Sequence, residues 1–227
     1  MLLKQIKNSL LLVLILFFFS CKEEEGVPAK FYYQYFPTDV GKWVEYDVVY
    51  IEVDEVSGVY DTTEYKLREI IESTFIDNQG RPSLRIERYW RTSDTLGWTI
   101  KDVWYATRTT THAEKIEEDI RYKKLVFPVK EGEEWNGNVF NTLSEVDYEM
   151  ENVHEDFTTG SMYFDSTVYV NQRFNYNLIE EDEAYEVYAA NIGLIQKLDK
   201  YFYIQNFPSN PQYVGYYYYQ TVTSYGN

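Results

Sequence analysis

Two segments of alternating apolar residues, YKLREIIESTF at 65–75 and LRIERYW at 84–90, flank the turn sequence DNQG at 77–80. Successive side chains of a β-strand point to opposite faces, so residues two apart share a face. The apolar residues that this alternation places on one face are Tyr65, Leu67, Ile71, Phe75, Leu84, Ile86 and Trp90. Because Asp, Asn and Gly favour tight turns, the stretch predicts an antiparallel hairpin. A helical stripe over 64–73 is the alternative, and the strand-like segments on both sides favour the hairpin.

Strand-like alternation recurs on both sides of this hairpin. In residues 44–50 the even positions are apolar and share a face, and Ser57-Gly58 marks the turn that follows. Aromatic residues make up 19% of the chain, and their flat rings suit pleated sheets. The four tyrosines at 216–219 must point to both faces of their strand. We therefore predict an all-β fold, a single strongly curved antiparallel sheet or barrel-like domain with about nine or more strands.

One segment leaves the choice between strand and helix open. In residues 112–122, Ala113, Ile116 and Ile120 fit one stripe of a short helix as well as they fit a strand. Further along the chain, strands are expected near 145–153, 162–175, 184–190, 192–204 and 213–224, because alternation returns there.

The first 21 residues carry the pattern of an export signal. Lys4 and Lys7 precede an unbroken apolar run at 10–19. As a helix this run spans about 15 Å, half the hydrocarbon thickness of a bilayer, which indicates a signal peptide and not a transmembrane helix. The run ends in Phe18-Phe19-Ser20-Cys21, which resembles a relaxed bacterial lipobox, and Cys21 is the only cysteine of the chain. The resemblance implies cleavage after Ser20 and acylation of Cys21. The alternative is an ordinary secretory signal with an incidental cysteine.

A short charged segment follows the cysteine: Lys22, Glu23, Glu24 and Glu25. It resembles the surface-export signal of Bacteroidota lipoproteins, and a solvated tether is the alternative. We therefore predict a lipoprotein signal peptide at 1–20, the acylated cysteine and tether at 21–29, and one β domain at 30–227. The acyl anchor would hold the protein in the outer membrane, facing the cell exterior, with the periplasmic face as the alternative.

Short segments spread over the rest of the chain resemble sequences of uncharacterised Bacteroidota surface lipoproteins. They are YFP at 35–37 with GKW at 41–43, LVFPV at 125–129 with Gly132 and WNGN at 135–138, and YA at 188–189 with NIGLI at 191–195. The resemblance implies a secreted, lipid-anchored β domain and no particular reaction. In physical terms, Gly132 and Gly137 suit turns, and Trp135 suits the closed end of a barrel or sandwich. Gly193 suggests a bulge or a close backbone contact.

Motifs for catalysis, cofactors and metals are missing from the sequence. It contains no G-x-S-x-G, no H-x-x-x-H or C-x-x-C pair and no glycine-rich nucleotide loop. We therefore predict no catalytic residue, no cofactor and no metal site, and we interpret His112 and His154 as solvated. A formal charge of -16 repels phosphate backbones, which argues against a nucleic-acid partner.

The charged and aromatic residues have simple interpretations, with one exception. The acidic clusters at 117–119 and 180–183 are interpreted as solvated loops, with calcium ligands as the alternative. The tryptophans at 90, 98 and 104 are interpreted as core residues, with exposed rings that stack on sugars as the alternative. The exception is Glu69 and Arg88, which fall on the apolar faces of the predicted hairpin. A two-residue loop places them directly opposite and a four-residue loop places them diagonally, and either register brings them within reach. The pair is either a polar anchor inside a ligand cavity or a partly exposed structural ion pair.

Three classes of function remain open. The favoured one is a surface-exposed, lipid-anchored envelope protein that binds an apolar or amphipathic ligand, or an envelope protein, without catalysis. The second is a glycan hydrolase that uses paired carboxylates, and the third is a purely structural or assembly component. The interior of the sheet distinguishes them. An open cavity favours ligand binding, a filled interior favours the other non-catalytic roles, and two convergent carboxylates favour the hydrolase.

Overall fold

Twelve antiparallel strands make up residues 30–227, the part of the chain that the computed structural model describes. The predicted signal peptide, Cys21 and the residues 22–25 lie outside this range. The strands are β1 Trp43–Asp54, β2 Val59–Ile76, β3 Pro82–Arg91, β4 Thr99–Arg108, β5 His112–Glu117, β6 Ile120–Val126, β7 Glu134–Asn136, β8 Asp147–Thr159, β9 Met162–Tyr176, β10 Glu180–Ala189, β11 Gly193–Gln205 and β12 Gln212–Gly226. A 3₁₀ turn, Tyr33–Tyr35, precedes them. Within the described range, no helix has the length and apolarity needed to span a bilayer.

The strands form one sheet that curls almost into a closed barrel. Each strand pairs with its neighbours in sequence, except that β1 pairs with β12 and the edges of the sheet are β6 and β7. Those edges meet, because the Lys123 amide donates to the Gly137 carbonyl at 2.9 Å and the Trp135 indole N–H donates to the Lys123 carbonyl at 2.9 Å. We call this contact the seam. The architecture confirms the predicted fold class, and Trp135 bridges the seam where an end position was expected.

The central hairpin follows the predicted pattern up to a bulge in β2. Leu67 lies opposite Trp90 and Ile71 opposite Ile86, and the register then shifts between Ile71 and Ser73. The extra residue reverses the side-chain alternation beyond it. Phe75 therefore packs against Tyr105 with ring centroids 5.4 Å apart, and both residues are partly exposed. The prediction that Phe75 shares the inner face with Leu67 is wrong for this reason.

The segment at 112–122 is a hairpin of β5 and β6, so the helical alternative is wrong. Its turn residues, Glu118 and Asp119, have φ of 47° and 66°. Two consecutive positive φ values are typical of the two-residue turns that suit twisted strands. Asn-Gly is the usual sequence of such a turn, and the Glu-Asp sequence found here does not predict one. The tertiary pairing of β5 with β4 decides the local structure.

The N-terminal segment closes one end of the barrel. Tyr35 is fully buried, and its hydroxyl lies 2.8 Å from Ser166 Oγ and 2.6 Å from His154 Nδ1. The Arg108 guanidinium donates to the carbonyl oxygens of Tyr33 and Phe36 at 3.1 and 2.7 Å. These contacts fix residues 31–37, which we call the plug. His154 was expected to be solvated, and it contacts the plug.

The opposite end of the barrel, which we call the mouth, is formed by hairpin turns. An antiparallel meander turns alternately at its two ends, so every second connection lies at the same end. The connections at the mouth are residues 55–58, 92–98, 118–119, 137–146, 177–179 and 206–211. The barrel is therefore shaped as a cup, with the plug at its base.

Gly215 on β12 allows the close approach of β11. A Cβ at this position would overlap the Tyr201 carbonyl oxygen and lie 2.9 Å from Phe202 Cα. We expect Gly215→Ala to lower the free energy of unfolding by about 1–3 kcal/mol, because the ladder must move apart. Urea melts of the purified chain measure this change. Gly97→Ala is the matched control, since a Cβ there meets nothing within 4 Å. Equal melts for the two variants would contradict the close approach.

Candidate functional site

Eight buried or half-buried charged side chains cross the interior of the barrel, the lumen. None of these side chains is more than 20% exposed. They project from seven strands, β2 to β6, β10 and β11. We call this set the charge belt. It consists of the cations Arg88, Lys115, Lys124 and Lys197 and the carboxylates Glu69, Asp102, Glu117 and Glu186.

One half of the charge belt is centred on Glu69. The residue lies directly opposite Arg88 in the β2–β3 ladder, and Arg88 lies opposite Asp102 in the β3–β4 ladder. Glu69 accepts from Arg88 Nε and from Lys115 Nζ, each at 2.9 Å. Arg88 Nη1 lies 3.0 Å from both oxygens of Asp102. The Arg88 side chain is 3% exposed and that of Glu69 11%, so the pair is a buried anchor.

The other half of the charge belt joins opposite walls of the barrel. Lys124 Nζ on β6 lies 3.0 Å from Glu117 and 2.6 Å from Glu186. Lys197 Nζ on β11 lies 3.1 Å from Glu117 and 3.4 Å from Glu186. Each charge therefore has two neighbours of opposite sign. This arrangement offsets the cost of removing four ions from water.

The cations of the charge belt lower the pKa of three of its carboxylates, Glu69, Glu117 and Glu186. Burial alone raises the pKa of a carboxyl group, but neighbouring cations outweigh burial here. The pKa of Glu69 is lowered by Lys115 and Arg88, and the pKa values of Glu117 and Glu186 are lowered by Lys124 and Lys197. Glycoside hydrolysis needs one carboxyl group that is protonated at working pH. The lowered pKa values of Glu69, Glu117 and Glu186 work against this protonated form in these three groups.

A cavity of about 530 Å³ lies between the charge belt and the mouth. Its wall combines part of the belt with aromatic rings and with charged groups near the mouth. The aromatic residues that line it are Tyr50, Tyr65, Trp104, Tyr122, Tyr148, Tyr216 and Tyr218. The charged residues outside the belt are Lys101, Glu118, Arg173 and Asp199. We call this space the mouth cavity.

The neighbouring tyrosines of β12 divide between the two faces of the sheet. Tyr216 and Tyr218 line the mouth cavity. Tyr217 and Tyr219 stack on each other with ring centroids 6.2 Å apart and do not belong to the cavity lining. The strand therefore presents matched aromatic positions inside and outside the cavity.

A smaller, apolar chamber lies on the other side of the charge belt. Its volume is about 80 Å³, and its lining includes Phe36 of the plug together with Trp43, Ile71 and Ile86. Glu69, Lys115, Glu117 and Lys124 line both this chamber and the mouth cavity. The charge belt is therefore the partition between a polar and an apolar part of the lumen.

Several sequence interpretations change with this geometry. Glu117 was expected in a solvated loop, yet it is 8% exposed, because it ends β5 with its side chain toward the belt cations. Trp104 lines the cavity beneath the Arg88 guanidinium, 3.4 Å from the ring centroid. Trp98 contacts Arg68 and Arg91 through its ring face, and Trp90 is 38% exposed. The three tryptophans therefore do not share one core.

Sequence reasoning found Glu69 and Arg88 but missed Lys124, Glu186 and Lys197. A weak signal for Glu186 exists, because it alternates with Ala184 and Tyr188, which are both buried. Lys124 lies 62 residues from its partner Glu186 in the chain, and Lys197 lies 80 residues from its partner Glu117. Within residues 30–227, no group of three or more His, Cys, Asp and Glu side chains forms a metal-binding cluster.

Comparisons with known proteins give little similarity. No protein-family model matches the chain, and no curated protein matches it. Among solved structures, the crystal structure of a "putative lipoprotein" from Parabacteroides distasonis is similar, with 13% identity and a TM-score of 0.37. The match covers 88% of this chain and 100% of that chain. Similarity at this level defines neither the fold nor the function of the present protein.

The burial of Glu69 has a measurable consequence. Glu69→Gln removes the charge that Arg88 and Lys115 share, and we expect it to cost about 3–5 kcal/mol in the free energy of unfolding. Arg88→Met, which leaves Glu69 with one cation, is expected to cost a similar amount. Asp47→Asn is the control, because Asp47 and Lys66 form a pair at 2.8 Å with side chains 52% and 30% exposed. That change should cost less than about 1 kcal/mol. Urea melts that rank the variants equally would show that Glu69 is not a buried anchor.

Proposed function

We propose that this protein is a lipid-anchored envelope protein that binds a small amphipathic ligand in the mouth cavity without transforming it. The observation that carries the proposal is an open, cup-shaped lumen of about 530 Å³ with a mixed aromatic and charged wall. Cavities of roughly 300–1,000 Å³ with rings and a few fixed polar groups are typical of small-molecule sites. A purely structural component would have no need for such a space.

The charge belt favours an amphipathic ligand over a wholly apolar one. It forms the floor of the mouth cavity, so any ligand that fills the cavity displaces water next to Arg88, Lys115 and Lys197. An apolar ligand would remove this water and return no hydrogen bonds, which is costly. A ligand with polar groups on one side and apolar faces on the other can bind the charged floor with the first and the aromatic wall with the second.

The anchor rests on the sequence alone. Cys21 follows a signal-peptide pattern and has no other cysteine to pair with. One acyl chain holds a protein only weakly at a membrane, whereas several chains hold it durably. Lys22 and the three glutamates after it support export to the cell surface, with the periplasmic face as the alternative.

Replacement of Cys21 tests the anchor. We expect Cys21→Ala to abolish incorporation of labelled palmitate and to leave either unprocessed precursor or soluble protein. Cell fractionation and gel autoradiography measure both effects, and the wild-type chain expressed in parallel is the reference. Equal labelling of the two chains would show that acylation occurs elsewhere or not at all.

Native mass spectrometry of the protein purified from its own envelope tests the binding site. We expect wild type to retain a small molecule, and Tyr216→Ala to lower its occupancy by about tenfold or more, because a cavity ring is removed. Tyr217→Ala is the matched control, since this neighbour lies outside the cavity lining. Wild-type protein without any bound small molecule, or equal losses in the two variants, would contradict the proposal.

A further inference from the structure

Three of the residues that line the mouth cavity carry a buried side-chain nitrogen that has no hydrogen-bond partner. These nitrogens are Trp104 Nε1, Gln172 Nε2 and Gln220 Nε2. Gln172 is 6% exposed and Gln220 is 2% exposed. A buried donor without a partner destabilises the folded state, so each such group in a folded protein calls for an acceptor.

The unpartnered groups of the cavity wall are donors without exception among the described residues. Two other buried atoms that lack a hydrogen-bond partner, Glu114 Oε1 and His112 Nε2, belong to residues outside this lining. The oxygen of Gln220 already accepts from the Tyr218 hydroxyl at 2.6 Å. A ligand that complements this lining therefore supplies hydrogen-bond acceptors more than hydrogen-bond donors.

Six cations and four carboxylates line the cavity, and each of the six cations pairs with a carboxylate of the lining or with one behind it. The charge belt contains four cations and four carboxylates. Near the mouth, the two cations Lys101 and Arg173 accompany the two carboxylates Glu118 and Asp199. Arg173 is held by Asp182 at 2.7 Å and by Asp199 at 2.6 Å. A ligand needs no net charge to enter such a site, and a charged ligand would have to compete with an existing ion pair.

The aromatic wall supplies apolar ring faces. Tyr50 and Tyr216 stack with centroids 6.5 Å apart and planes 28° from parallel, and both are half-buried. Arg88 at 3.4 Å and Lys115 at 4.7 Å lie over the Trp104 ring, and the two tyrosines supply further ring surface to the wall. Aromatic rings that combine an apolar body with a polar edge suit ligands that are themselves amphipathic.

From these four features we infer that the ligand is an uncharged saccharide. Its hydroxyl and ring oxygens accept from Trp104, Gln172 and Gln220, and its C–H faces pack on Tyr50 and Tyr216. The inference rests on the proposed function and names the class of ligand for that same cavity. Because the charge belt closes the floor, the cavity admits a short saccharide or the end of a longer chain.

The experiment begins with the molecule that co-purifies with the full-length wild-type protein in detergent. The protein is denatured, and the released molecule is identified by fragmentation mass spectrometry. A neutral saccharide supports the inference. A lipid, a peptide or an anionic metabolite overturns it while leaving binding in place. No released molecule at all overturns both the inference and the proposed function.

A variant of Gln172 then tests the contacts. Saturation-transfer NMR and titration calorimetry use the purified saccharide, with palmitate and glucuronate as comparison probes. Gln172→Leu removes one unpartnered donor, so we expect saccharide affinity to fall by about tenfold or more while the urea midpoint of the free protein does not fall. Gln79→Leu, at an exposed hairpin turn, is the control and should bind as wild type. Unchanged affinity in Gln172→Leu, or tighter binding of palmitate or glucuronate than of the saccharide, would overturn the assignment.

Discussion

The lumen depends on one arrangement of ions, in which Lys124 and Lys197 alternate with Glu117 and Glu186. Four charges withdrawn from water would each cost several kcal/mol if they stood alone. Here every charge has two neighbours of opposite sign at 2.6 to 3.4 Å. The barrel can therefore keep a polar centre between an apolar base and an aromatic mouth.

Much of the fold follows from local patterns, because strands and turns are decided over a few residues. The alternation at 65–75 and 84–90 gives the hairpin, and the turn chemistry between them gives its position. The bulge after Ile71 does not follow, since no residue in β2 requires it. Its cause is non-local: the backbone of Ile71 bonds to Lys42 and Gly41 in the segment before β1. The positive φ values of Glu118 and Asp119 could not be predicted from the sequence for a similar reason, because tertiary pairing imposes them.

The candidate site was predictable only where it is local. Glu69 and Arg88 face each other across one hairpin, so counting residues from the turn brings them together. Lys124 meets Glu186 across the lumen, 62 residues away in the chain. That contact exists only when the sheet curls through a full turn, and the sequence of a single strand does not predict the curvature of the sheet. The sequence also does not predict that the side-chain nitrogen of Gln172 lacks a hydrogen-bond partner. This property depends on which acceptors the folded interior places near it.

The ladder between β1 and β12 bears on how the molecule assembles. Ten of the eleven ladders in the described chain join consecutive strands, and this one joins Trp43 to Gly226. Local ladders form quickly, whereas contacts between distant residues carry the entropic cost of closing a long loop. Strands β1 to β6 and β7 to β12 thus form two meanders of six strands each. The ion pairs of Lys124 with Glu186 and of Lys197 with Glu117 each take one residue from each meander. The mouth cavity is consequently a product of docking, because it forms only when the two halves of the chain meet.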